Sequence, residues 1–114
     1  MPTILVVDDE QPIRQLVTRV LERKGYKVIA CGTSAEALQV TETIDLLLVD
    51  LVLPDLNGRQ LTEKLRARLP KLPVILMSGY LPDHDLTPSA PSTFLQKPMM
   101  PADVVAAVES FLPS

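Results

Sequence analysis

Several side chains in this 114-residue sequence could do chemistry together. Asp8 and Asp9 follow the apolar run Ile4-Leu5-Val6-Val7, with Glu10 next, and Asp50 closes Leu46-Leu47-Leu48-Val49. Ser78 closes Val74-Ile75-Leu76-Met77, and Lys97 follows Thr93-Phe94-Leu95-Gln96. Grouped carboxylates repel, and one lysine does not balance three of them, so the set calls for a cation. Oxygen donors of this kind suit Mg²⁺, which keeps some of its waters and bridges to phosphate. The matching chemistry is attack by a carboxylate on phosphorus, giving an aspartyl-phosphate. Charge on the phosphoryl oxygens would be met by the metal, the Lys97 ammonium and the Ser78 hydroxyl. Asp50 is the better nucleophile because it ends the most apolar run, and Asp8 and Asp9 are better placed to hold the metal.

Taken one at a time, these residues have plainer readings. Asp9 or Glu10 could simply cap the next helix. A lysine before proline is usually a solvated loop charge, and Ser78-Gly79 is ordinary turn chemistry. The argument rests on all of them reaching one place.

They reach one place only if each apolar run is a strand of a single parallel sheet, because ligands of open α/β sheets bind beyond the carboxyl ends of the strands. The sequence alternates as that fold requires. Ile4–Val7 reads as a buried strand, and Ile13, Leu16, Val17, Val20 and Leu21 then share one helical face. Pro12 suits the first turn of that helix and Gly25 its end. Lys27–Cys31 is a second strand, and Thr33 and Glu36 have capping-box spacing for a second helix. Asp45–Asp50 is the third strand, unbroken in apolar character as in a sheet covered on both faces. Leu61, Leu65 and Leu69 mark a third helix from about Gly58 to Leu69. Pro73–Ser78 and Thr93–Gln96 are the fourth and fifth strands. The last helix follows Pro101, with Val104, Val105, Val108 and Phe111 facing inward. Strand–helix alternation predicts an α/β, three-layer, doubly wound, five-stranded parallel sheet. Between Ser78 and Thr93 the expected helix meets Pro82, Pro88 and Pro91, so a short turn of helix near Asp83–Leu86 or an irregular loop is expected instead.

Composition narrows the classes. Apolar residues make up 46% of the chain and aromatics only 4%, so the core is aliphatic. A net charge of −3 argues against nucleic acid or an anionic membrane as partner. No apolar stretch approaches the roughly 18 residues of a membrane span, and no signal peptide is recognisable. The single cysteine, Cys31, fits packing and a reducing, cytoplasmic setting. His84, in the proline-rich segment, reads as a surface residue.

Four motifs together, Leu5-Val6-Val7-Asp8-Asp9-Glu10, Asp50-x-x-x-Pro54-x-x-x-Gly58, Met77-Ser78-Gly79-Tyr80 and Phe94-Leu95-Gln96-Lys97-Pro98, give a specific resemblance. The chain resembles the receiver domains of bacterial two-component response regulators, over essentially its whole length, as one receiver domain spanning residues 1–114. The resemblance implies a flavodoxin-like strand order 2-1-3-4-5. It implies Asp50 as phosphoacceptor, with Asp8, Asp9, Asp50 and the backbone carbonyl of Val52 around Mg²⁺. Ser78 would be the switch hydroxyl, Lys97 its charged partner, Phe94 the switch aromatic, and the Lys97–Pro98 bond cis. The phosphodonor would be a histidine kinase or a histidine phosphotransfer protein. Output would pass to a further protein or to a fused kinase domain. The third and fourth motifs are also similar to receivers at the C-terminus of hybrid sensor histidine kinases, while a stand-alone regulator fits equally. Two departures stand out: the prolines in place of the fourth helix, and Phe94 without the frequent tyrosine hydroxyl.

Other classes fit less well. Phosphatases with an aspartate nucleophile typically carry a second Asp two residues later, where this chain has Val52. A true enzyme is therefore not expected, only Mg²⁺-dependent self-phosphorylation and self-dephosphorylation. A dinucleotide binder would need a Gly-rich turn after the first strand, where acids stand instead. The remaining alternative is a receiver-like interaction module that works without phosphorylation; such proteins usually lose an acid, the hydroxyl or the lysine, and this one keeps them all.

Overall fold

The computed structural model describes residues 1–112, so residues 113 and 114 of the expected domain lie outside it. The strands are β1 (Thr3–Val7), β2 (Lys27–Cys31), β3 (Leu46–Asp50), β4 (Val74–Ser78) and β5 (Ser92–Gln96), and the helices are α1 (Gln11–Arg23), α2 (Ser34–Leu38), α3 (Gly58–Arg66) and α4 (Pro101–Phe111). All strand pairs are parallel, in the order β2-β1-β3-β4-β5. This is the expected doubly wound sheet.

Alternation along the strands sorts the core into two layers. Leu5, Val7, Leu47, Val49, Val74 and Leu76 face one side, where Ala37 of α2 and Leu61 and Leu65 of α3 cover them. Ile4, Val6, Leu46, Leu48, Ile75 and Met77 face the other, under Val17 and Leu21 of α1 and Val104 and Val108 of α4. Each such side chain taken fully from water contributes about 1.5–3 kcal/mol, which makes the three central strands the rigid floor of the molecule.

Helix ends follow local rules. Pro12 lies in the first turn of α1, and Gly25 stops the chain after it with φ +93°, a conformation that costs other residues strain. Thr33 caps α2 by accepting the N–H of Glu36 at 3.1 Å. The third helix ends at Arg66, three residues short of Leu69, which half-buries its side chain against the core from the following turn. On α1, Leu16 is more than a third exposed, because the helix rests on the sheet through Val17 and Leu21 at the centre of its apolar stripe. Val105 is only half-buried, in a groove it shares with Val20 of α1.

No α-helix forms between β4 and β5. A single 3₁₀ turn, His84–Leu86, stands there, and only Leu86 from it packs against the core. His84 itself is fully exposed. Arg66 stabilises the far end of the segment. Its Nε and Nη2 donate to the Leu72 carbonyl, its Nη1 to the Ser89 carbonyl and hydroxyl, and its Nη2 also to the Pro91 carbonyl, all within 2.8–3.2 Å. That uses every donor a guanidinium has.

Candidate functional site

The carboxyl edge of the sheet collects the expected side chains. Asp8 lies one residue past β1, where its N–H continues the ladder to the Cys31 carbonyl at 3.1 Å. Asp50 is the last residue of β3, Ser78 the last of β4, and Lys97 directly follows β5, with its N–H on the Ser78 carbonyl at 2.7 Å. Strand register therefore fixes all four, and the Lys97–Pro98 bond next to them is cis.

Asp8, Asp50 and Ser78 are buried, and Asp9 is exposed. Carboxylate oxygens of Asp8, Asp9 and Asp50 lie within 4.8 Å of one another. The Lys97 ammonium reaches Asp8 Oδ2 at 2.9 Å, Asp50 Oδ2 at 3.0 Å and Glu10 Oε1 at 3.0 Å. The remaining carboxylate oxygens take backbone donors: Asp8 Oδ1 accepts from Glu10 N–H at 2.9 Å, and Asp50 Oδ1 from Val52 N–H at 3.1 Å. Ser78 Oγ accepts the Tyr80 N–H at 3.3 Å. Phe94 sits mid-strand in β5, paired with Leu76 and half-buried.

Burial pushes the Asp8 carboxyl above its ordinary range, although the Glu10 N–H and Lys97 pull it back. Partial burial alone would lower the Lys97 pKa, but hydrogen bonds with Asp8, Asp50 and Glu10 outweigh it and hold the ammonium firmly protonated. One oxygen stands out. Asp8 Oδ2 is fully buried, and among the described residues the Lys97 ammonium at 2.9 Å is its one partner. A buried carboxylate oxygen in that condition, facing two further carboxylates, is what a hard divalent cation satisfies. The residues present fit Mg²⁺.

The loop after β3 is held by contacts that no motif announced. Asp55 accepts the N–H groups of Ser34 and Ala35 at 3.1 and 2.9 Å, tying the loop to the start of α2. Desolvation would raise its pKa, but these donors and the Leu56 N–H prevail and bring it to about 2. Asn57 and Gln60 exchange side-chain and backbone bonds at the start of α3, a reciprocal cap readable from the spacing alone. Gly58 is required where it stands, since a Cβ there would lie 2.6 Å from the Asp50 carbonyl oxygen. Arg14 donates from Nη1 to the Asp8 carbonyl at 2.8 Å, bracing the end of β1 from α1. Arg14, Asp55 and the Glu10–Lys97 pair escaped the sequence reading because each joins positions with no fixed spacing.

Fold and site together define a doubly wound α/β domain with an acidic, lysine-bearing pocket at the switch point of the sheet. The sequence profile of the response regulator receiver domain matches residues 4–109. The chain belongs to that family, the receiver domains of two-component systems. Among curated relatives it is 32% identical over 117 residues to the sensor kinase CckA of Brucella abortus (strain 2308), covering 96% of this chain and 12% of that protein. It is 37% identical over 114 residues to the regulatory protein VanRc of Enterococcus gallinarum, covering 96% of this chain and 49% of the relative. The chain thus spans at most about half the length of these relatives. Among solved structures, the receiver domain of the hybrid histidine kinase CckA aligns with a TM-score of 0.85 at 34% identity, covering 96% of this chain and 98% of that one. The chemotaxis protein CheY4 of Vibrio cholerae shares the fold, with a TM-score of 0.88 at 21% identity and 97% and 98% coverage.

Proposed function

We propose that this chain is a phosphorelay receiver that accepts a phosphoryl group on Asp50 and changes a partner-binding surface in response. The observation that carries this is the meeting of a buried Asp50, two further acids and Lys97 at one edge of the sheet. The donor is a histidine kinase or a histidine phosphotransfer protein, and the work is cytoplasmic. An Asp50 carboxylate oxygen attacks the phosphorus. The new O–P bond forms as the P–N bond to the donor imidazole breaks, and the leaving imidazole takes up a proton.

Asp8, Asp9, Asp50 and the Val52 carbonyl would hold Mg²⁺, which when bound draws charge from the phosphoryl oxygens. The chain's own residues do the rest. Lys97 already stands 3.0 Å from Asp50, within reach of the negative charge that develops there. Ser78 exchanges the Tyr80 N–H for a phosphoryl oxygen, and Phe94 repacks next to it. The state in which these bonds form gains population on phosphorylation. The cycle ends by hydrolysis of the acyl phosphate, so the chain acts on itself and turns over no separate substrate.

Intact mass after incubation with acetyl phosphate, with and without Mg²⁺, tests the reading, with Asp50→Asn alongside. One added phosphoryl group that requires both Mg²⁺ and Asp50 is expected. No addition to a folded, Mg²⁺-bound protein would instead favour an interaction module that works without phosphorylation.

A further inference from the structure

Glu10 occupies the N-cap of α1 but makes no capping bond with its side chain. The helix-capping explanation for an acid at this position therefore does not apply. Its carboxylate turns to the Lys97 ammonium instead, at 3.0 Å across 87 positions of sequence. Glu10 lies outside the group of acids whose oxygens converge for a cation. It is also the outermost partner of Lys97: the side chain is 59% exposed, against 0% for Asp8 and 8% for Asp50.

A lysine ammonium has three N–H donors, and here three different carboxylates surround it. Binding of Mg²⁺ would draw Asp8 and Asp50 toward the metal and leave Glu10 as the one acid still free to hold Lys97. A phosphoryl group on Asp50 needs that same ammonium. We infer that Glu10 is a positioning residue that competes with the phosphoryl group for Lys97, holding the ammonium outward and weakening the phosphorylated arrangement. The inference rests on the phosphoryl chemistry proposed for Asp50, and makes Glu10 a built-in brake on it.

The competition has the size of a half-exposed ion pair, so its removal changes binding by about two- to fivefold. Beryllofluoride, a mimic of the phosphoryl group, is titrated calorimetrically into wild type, Glu10→Gln and Glu10→Asp at saturating Mg²⁺. Both variants are expected to bind it about two- to fivefold more tightly. Glu10→Asp keeps the charge but is one methylene too short for Lys97, so it separates the contact from the general field of the acid. The gain should shrink in 1 M salt, where screening acts over about 3 Å. In metal-free protein, acylation of Lys97 by an amine-selective reagent, read by mass spectrometry, should quicken by a similar factor in both variants. Unchanged or weaker beryllofluoride affinity in Glu10→Gln overturns the inference, as does a Glu10→Asp variant that behaves like wild type. Wild type that binds no beryllofluoride in Mg²⁺ would instead sink the phosphoryl chemistry itself, and the brake with it.

Discussion

Asp8 answers to two opposing demands, burial and charge. Its folded pKa is raised above the ordinary 3.8, first by desolvation. A raised carboxyl costs the fold nothing while both states are protonated. The cost appears as the pH climbs past the unfolded value and is complete above the folded one. At neutral pH the ionised Asp8 therefore destabilises the metal-free domain. Asp8→Asn is expected to raise the metal-free melting temperature at pH 7 and to lose that advantage in acid. Mg²⁺ at a hundredfold excess over its Kd stabilises a binding-competent fold by about 2.7 kcal/mol, a shift wild type should show and Asp8→Asn should lack. A metal-free Asp8→Asn protein that melts below wild type at pH 7 would contradict this account.

Two elements depend on single side chains that join them to distant backbone. Asp55 fastens the loop after β3 to α2, and its pKa, lowered from 3.8 to about 2, carries the signature. A depressed carboxyl stabilises the fold above its unfolded value and loses that contribution as the pH falls through the folded one. Asp55→Asn should be less stable than wild type at pH 6, with the gap in urea midpoints closing as the pH falls from about 4 to about 2. A gap that stays constant over that range would show that the charge is not what matters. Arg66 does comparable work for the segment before β5. Arg66→Ala leaves the Leu72 and Ser89 carbonyls without the guanidinium and the Pro91 carbonyl with the Val74 N–H, and should cost about 1–3 kcal/mol in urea denaturation. Faster hydrogen exchange is expected in residues 88–92, with α1 unchanged; equal acceleration in both would point to global destabilisation instead.

Across the whole molecule, the sheet was legible because strands covered on both faces must be apolar without interruption, and Leu46–Val49 and Val74–Met77 obey that rule. The positions of Asp8, Asp50, Ser78 and Lys97 followed from the strand ends, since register leaves little choice of where a terminal residue points. Prolines foretold the missing helix between β4 and β5 for the same kind of reason, a local steric veto. What stayed hidden were bonds between a side chain and remote backbone, such as Arg66 to Pro91 or Asp55 to Ser34. Nothing periodic marks them, and a surface arginine or aspartate looks alike whether it is engaged or free.

The same arginine divides the segment that replaces the helix. Residues 88–91 are moored by Arg66, β4 anchors the start, and between them Tyr80 and Leu81 stand exposed while Leu86 alone dips into the core. Nine positions, 79–87, therefore hang between two fixed posts like a rope bridge. Loops with ends held and few inward contacts tolerate changes of length and wording. Insertions or substitutions at positions 81–87 are therefore expected to leave the geometry of the acid–lysine cluster next door unchanged.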